Sequence, residues 1–141
     1  MRKPLIAIVI LCLFAVSCGK KEVKKTVSED SRVATEAMQV VEKLREAYTA
    51  KDLHAIERVT TRDGFNLIRG SIKNFDRVDL QFNPVLVEIE SGTANVNVSW
   101  KGTWSREGKT TEERGMTVFV LKVRPLRVDN IMRSNPFSYP Q

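Results

Sequence analysis

Cys18 is the residue whose surroundings most clearly predict a chemical fate. Two positive residues, Arg2 and Lys3, begin the chain, and an uncharged apolar run over residues 5–16 follows. The small residue Ser17 precedes the cysteine, and from Lys20 the composition becomes polar. This order of basic, apolar and small segments is typical of a secretory signal peptide. The sequence therefore predicts export, with residues 1–17 as the signal and Cys18 at its boundary.

Residues 15–18 resemble the lipobox of bacterial lipoproteins. That resemblance implies that the Cys18 thiol receives a diacylglyceryl group and that Cys18 becomes the first residue of the mature, membrane-bound protein. The match departs from the family at Ala15, where leucine is preferred. Gly19 is not the aspartate that resembles an inner-membrane retention signal. In a bacterium with two membranes this favours the periplasmic side of the outer membrane; a host with a single membrane stays open.

Two alternatives compete with lipidation at Cys18. One is an ordinary cleaved signal peptide in which the cysteine is incidental. The other is an uncleaved single-span anchor, which the length of the apolar run opposes, since its 12 residues are fewer than the ~20 that a transmembrane helix needs. Lipidation is the favoured interpretation because the cysteine lies directly between the apolar run and a lysine-rich segment.

Cysteine and histidine counts restrict the remaining site chemistry. The chain has two cysteines, and Cys12 would leave with the signal. A disulfide framework is then excluded for the mature chain. The single histidine, His54, excludes a site with several histidine ligands. We expect no metal and no cofactor.

The positive charge is concentrated near the predicted membrane attachment. Lys20, Lys21, Lys24 and Lys25 lie in a tether predicted over residues 18–30, whereas residues 26–141 hold 17 basic and 16 acidic side chains. The latter balance is not that of a nucleic-acid-binding domain. The lysines suit anionic headgroups, or they simply keep a short linker soluble.

The elements that follow predict one α+β domain over residues 31–137, with a tail at 138–141. Apolar residues at helical spacing over 33–48 predict a first helix capped by Ser28 or Ser31. Asp52 should cap a second short helix that carries Leu53 inward, and a third is predicted over 64–75. Alternation predicts strands over 78–82, 85–90, 93–104 and 113–123, and a last strand around Val128.

This order of elements resembles the nuclear transport factor 2-like superfamily. The resemblance rests on Tyr48-x-x-Lys51-Asp52-Leu53-x-x-Ile56, on the strand pair 94–104 and 116–123, and on Leu126-x-Val128-x-x-Ile131 before Asn135-Pro136-Phe137. It implies a curved antiparallel sheet of four to five strands wrapped around N-terminal helices as a cone. Leu126 stands where the family commonly has tryptophan. The alternative fold is a cystatin-like sheet with a single helix.

The resemblance also directs attention to polar residues inside the cone, where the superfamily's enzymes place Asp, His or Tyr. Tyr48, Asp76 and Asp79 are the candidates for a lyase or isomerase site. The competing interpretation makes Tyr48 a core aromatic residue with its hydroxyl at the rim and makes the two aspartates solvated charges. His54 is expected on the surface. We favour a non-catalytic domain.

Trp100 and Trp104 share the apolar face of the longest predicted strand. They are expected in the core, or, if the cone is open at that end, as the lining of a pocket for a flat apolar ligand. The strand segment 116–121 is apolar on both faces except at Thr117. A strand of that kind is central, and its second face predicts a homodimer through the sheet or another covering layer. The expected partners are thus a membrane, a second copy, another protein or a small apolar ligand.

Overall fold

A computed structural model describes residues 27–138 and Pro140. They form three α-helices and four strands: α1 (Glu29–Thr49), α2 (Leu53–Val59), α3 (Arg62–Ile68), β1 (Arg77–Glu90), β2 (Thr93–Arg106), β3 (Lys109–Lys122) and β4 (Arg127–Arg133). A short 3-10 helix at Ile72–Asn74 precedes β1. The strands form one antiparallel sheet in the order β1-β2-β3-β4.

α1 forms because its apolar residues recur on one helical face and its first turn is capped. The Ser28 side chain accepts a hydrogen bond from the Ser31 amide, which confirms Ser28 as the cap. The inward face is buried against β1 and β2: Ala37, Val40, Val41, Leu44, Ala47 and Tyr48. The helix begins two residues before the expected domain boundary at 31.

Arg45 joins α1 to the sheet. Its guanidinium donates to the Leu80 carbonyl oxygen of β1 at 2.9 Å and pairs with Glu42 on its own helix at 2.5 Å. The Glu42 carboxylate raises the pKa of Arg45. This contact fixes the rotation of α1 over β1.

The second and third helices are shorter than the apolar spacing suggested. Asp52 caps α2 by accepting from the Ala55 amide, as predicted. Leu53 was expected to face inward and is 39% exposed, because Ile56 fills the inward position. The helix predicted over 64–75 ends at Ile68, and a separate 3-10 turn carries Ile72. Gly70 lies at the break, where its low helix propensity allows the chain to change direction.

β1 corrects the prediction of two strands divided at Asn83–Pro84. It is one strand of 14 residues, with a register irregularity between Pro84 and Leu86. Pro84 is tolerated because β1 is an edge strand that needs to bond only β2. The extra residue, Val85, is left unpaired and 62% exposed.

β2 and β3 form the long hairpin that the alternation predicted. The turn between them consists of Glu107 and Gly108, both with positive φ (51° and 76°). Positive φ at both residues is the geometry of a two-residue hairpin turn whose twist matches that of the flanking strands. β3 is a central strand, as predicted, and its inward side chains Phe119 and Leu121 are completely buried.

α3 is held tightly against β4. The Thr61 amide donates to the Val128 carbonyl oxygen at 2.9 Å, and the Thr61 hydroxyl donates to Asp129 at 2.8 Å. Gly64 faces the same Val128 carbonyl so closely that a Cβ atom there would overlap it. The presence of α2 and α3 excludes the single-helix, cystatin-like alternative.

We expect Gly102→Ala to destabilise the domain by about 1–3 kcal/mol, as overpacking does. The Trp104 indole lies across Gly102 on the same strand, so an added Cβ would meet the ring. Chemical denaturation followed by tryptophan fluorescence measures the change. Gly70→Ala is the control, since no atom lies within 4 Å of its would-be Cβ. Equal stabilities of the two variants would contradict the packing argument.

Candidate functional site

Tyr48 lies at the centre of the cone, on the last turn of α1. It has no exposed surface, and its hydroxyl donates to the Phe137 carbonyl oxygen at 3.0 Å while accepting from Trp104 Nε1 at 3.5 Å. Burial raises the pKa of the Tyr48 phenol. The hydroxyl is thus a protonated, fully bonded structural group rather than an acid or base open to a substrate.

Trp100 and Trp104 both lie in the core. Trp104 is completely buried and Trp100 is 4% exposed; their rings meet edge to face with centroids 6.2 Å apart. The Trp100 indole nitrogen donates to Ser134 Oγ at 3.1 Å. A pocket for a flat apolar ligand lined by Trp100 and Trp104 stays a prediction, and forming it would require displacing these contacts.

Phe137 occupies the middle of the cone, and sequence reasoning missed it. Its ring lies between those of Tyr48 and Phe119, with centroid distances of 4.8 and 5.9 Å, and it is completely buried. From the sequence, Phe137 was placed inside the domain but was not assigned to the core. The signal in the sequence was Phe137 itself, a large apolar residue between two prolines, which indicates that this segment returns to the core.

The other three candidates lie on the surface. Asp79 projects from the face of β1 opposite the buried Val78 and Leu80 and is exposed. Asp76 is also exposed, and its carboxylate accepts from the Glu107 amide at 2.7 Å, so it fastens the start of β1 to the β2–β3 turn. His54 is exposed on α2, as expected. No pair formed by Tyr48 and one of these carboxylates faces a common cavity.

The outer face of the sheet, turned away from the helices, carries an apolar band. Met116, Val118 and Val120 alternate with buried residues of β3, Met132 pairs with Val118, and Leu86 lies across Asn97 of β2 from Val118. Leu86 is 53% exposed and Met132 is 51% exposed. Within the described residues the helices pack on the other face. The band is therefore an uncovered surface.

Metal and membrane features were searched over residues 27–138 and Pro140. In that range no group of three or more His, Cys, Asp or Glu side chains is placed to hold a metal ion. Across the same residues, each helix is too short or too polar to cross a bilayer. Cys18, Cys12 and the segments predicted as signal and lysine-rich tether lie outside the described residues, apart from the last four tether positions.

Comparison with known proteins identifies the fold. No protein-family model matches the chain, and no curated protein matches it. Among solved structures, a nuclear transport factor 2-like superfamily protein from Salmonella enterica serovar Typhimurium superposes with a TM-score of 0.67 at 16% identity, over 76% of this chain and 93% of that one.

Two further structures agree. A conserved protein from Planctomyces limnophilus gives a TM-score of 0.60 at 12% identity, over 74% of this chain and 98% of that one. A ketosteroid isomerase-like protein from Erwinia carotovora gives 0.56 at 16% identity, over 72% and 92%. The domain therefore has the nuclear transport factor 2-like fold, as the order of elements implied.

We expect Tyr48→Phe to lower the free energy of unfolding by about 1–3 kcal/mol, because the Phe137 carbonyl and the Trp104 indole N–H lose their buried partner. The wild-type chain should also lose stability as pH rises above about 10, the ordinary pKa of tyrosine, because the raised pKa keeps the folded phenol neutral while the unfolded phenol ionises. Unfolding at pH 8 and pH 11 measures both effects. The stability gap between wild type and variant should shrink at pH 11; a constant gap would contradict the burial of this hydroxyl.

Proposed function

We propose that this protein is an exported lipoprotein, held at a membrane through lipid on Cys18, whose nuclear transport factor 2-like domain is a non-catalytic binding module. In a host with two membranes, the proposed location is the periplasmic side of the outer membrane. The proposed binding surface is the outer face of the sheet, and its proposed occupant is a second copy of the chain.

The filled interior of the cone is the observation that carries the non-catalytic function. An enzyme of this shape needs a cavity that seats its substrate beside an acid or base. Here Phe137, Tyr48 and Trp104 fill that volume, and each is completely buried. The alternative, an exported lyase or isomerase that uses Tyr48 with Asp76 or Asp79, lacks this arrangement because both aspartates are exposed outside the core.

The anchor is supported by the order of residues before the domain. An apolar run, small residues, Cys18 and four lysines precede α1 within 28 residues. α1 begins at Glu29 and is capped by Ser28, so the cap of its first turn is supplied from within the described residues. A lipid on Cys18 would then add attachment without altering the packed core.

The distribution of charge around the apolar band favours a second copy as its occupant. The β1 side of the outer face carries Glu88 and Glu90, and β3 carries Lys122 in the same row across the sheet as Glu90. A two-fold axis parallel to the strands would lay the β1 side of one copy over the β3 side of the other. Glu90 of each copy would then lie near Lys122 of the other while the apolar bands meet at the centre, as an isologous interface requires.

Cys18→Ala should leave the chain unlipidated. The expected result is an unlipidated precursor, whose mass lacks the lipid but still includes the predicted signal over residues 1–17, and whose membrane association differs from that of the wild-type chain. Mass spectrometry of the purified protein and membrane flotation measure these outcomes. Cys12→Ala is the matched control, because that cysteine lies within the predicted signal. Unchanged mass and unchanged membrane association for Cys18→Ala would overturn the anchor.

Met116→Lys should weaken self-association at least tenfold, the cost of burying a charge near the centre of an interface. Sedimentation equilibrium of the full chain in density-matched detergent measures the monomer–dimer constant. Leu67→Lys is the control, since Leu67 on α3 is 45% exposed, against 40% for Met116, and lies away from the outer face. A wild-type chain that sediments only as a monomer would overturn the proposal that a second copy occupies the band. The proposed occupant would then be a different protein.

A further inference from the structure

We infer that a groove beside α3 binds the phosphate ester of a polyol. The groove has a volume of about 390 Å³ and lies where α2, α3 and the start of β4 meet. The residues used here are called the arginine groove: Glu57, Arg62, Phe65, Asn66, Arg69 and Arg127. This site goes beyond the proposed function and does not depend on it.

The sequence places most of the groove on one stripe of α3. Arg62, Phe65, Asn66 and Arg69 are spaced i, i+3, i+4 and i+7, so their side chains follow the same face of the helix. The two arginines are about 10 Å apart along the helix axis. The groove is therefore longer than one phosphate and leaves room for the rest of an esterified molecule.

The third arginine comes from a distant part of the chain and is held in register with α3. Arg127 is the first residue of β4, and the next residue, Val128, accepts the Thr61 amide at 2.9 Å. Asp129 accepts from the Thr61 hydroxyl and pairs with Lys122 at 2.9 Å. These contacts fix the start of α3 on β4, so the groove is formed before any ligand arrives.

The three guanidinium groups are available to a ligand. Across the described residues, Arg62, Arg69 and Arg127 form no ion pair within 4.0 Å, whereas Arg45 is bound to Glu42 and Leu80. The nearby lysine, Lys122, is already occupied by Asp129. Arginine binds phosphate oxygens through two parallel hydrogen bonds, which makes such a cluster a phosphate receptor.

Two further groove residues indicate what the phosphate is attached to. Across the described residues Glu57 forms no ion pair within 4.0 Å, so it is an acceptor that would repel a bare anion. A ligand that presents hydroxyl groups satisfies it by donating hydrogen bonds. Phe65 is half-buried and offers an apolar wall to the carbon skeleton. Phosphate, hydroxyls and a short carbon chain together describe a polyol phosphate ester.

The test uses the full chain in detergent micelles and sn-glycerol 3-phosphate as the probe, measured by isothermal titration calorimetry. We expect saturable binding, with Arg62→Gln, Arg69→Gln and Arg127→Gln each weakening it about tenfold, because each removes a charged hydrogen-bond donor. Arg58→Gln is the matched control, since Arg58 is exposed on α2 and lines a different depression. No saturable heat, or an equal loss in the Arg58 variant, would overturn the site.

Glu57→Gln tests the polyol part separately. The wild-type chain should prefer sn-glycerol 3-phosphate to inorganic phosphate, and the variant should lose that preference because inorganic phosphate is no longer repelled. An unchanged ratio of the two dissociation constants in the variant would overturn the assignment of Glu57 as the hydroxyl acceptor and with it the polyol ester as the ligand.

The same chemistry occurs in soluble esters and in the headgroup of phosphatidylglycerol. Adding phosphatidylglycerol to the micelles, with phosphatidylcholine as the comparison, separates the two sources when the arginine Nε–Hε resonances are followed. Shifts that phosphatidylglycerol causes and phosphatidylcholine does not, and that sn-glycerol 3-phosphate reverses, support the headgroup. Shifts from the soluble ester without an effect of the lipid support a soluble ligand. An absence of shifts from both would overturn the proposal.

Discussion

The hydrogen bond from the Tyr48 hydroxyl to the Phe137 carbonyl oxygen is the contact on which the rest of the structure depends. It joins α1 to the segment after β4, residues 89 positions apart in the sequence. The phenol can donate to Phe137 only while it is protonated, and Trp104 supplies the matching donor to its oxygen. The Phe137 ring then contacts three other aromatic rings, those of Tyr48, Phe82 and Phe119. This hydrogen bond holds Phe137 in the cone, so that the interior is filled by a side chain of the protein itself.

Because the interior of the cone is filled in this way, a partner or ligand would be recognised on the outside of the domain. A buried aromatic cluster gives a sheet a rigid support, and a rigid sheet can present a binding surface with little loss of entropy. Two surfaces remain with unused chemistry: the apolar band on the outer face and the arginine groove beside α3. They lie on different sides of the sheet, since Met116 and Val118 face away from the helices and Phe65 belongs to one of them.

Periodicity predicted an element correctly where the pattern depends only on the residues of that element. The helix around Tyr48 and the 12-residue alternation of β2 are local signals, and both elements appear as expected. Pro84 was read as the end of a strand because a central strand cannot use it; only the sheet order places β1 at an edge. Phe137 was missed because its burial depends on α1 and β3, which are far away in sequence.

The candidate sites also combine features that neighbouring residues in the sequence reveal with features that depend on residues far away in the sequence. The arginines of α3 could be recognised from their i, i+7 spacing, but Arg127 is 58 residues beyond Arg69 and is brought to it by the Thr61–Val128 hydrogen bond. Tyr48 was correctly placed on the inner face of α1, and the alternation of Val78, Asp79 and Leu80 correctly places Asp79 outward.

The position of α1 relates the tether to the arginine groove. Asp30 shares a depression with Ser91, at the turn between β1 and β2. The register places Thr93 beside Lys122, and Lys122 beside Arg127, so all of them lie at one end of the sheet. Ten residues separate Cys18 from Glu29, and a chain of that length spans at most about 35 Å. A lipid on Cys18 would therefore keep this end of the domain near the membrane surface, within reach of phosphate-bearing headgroups.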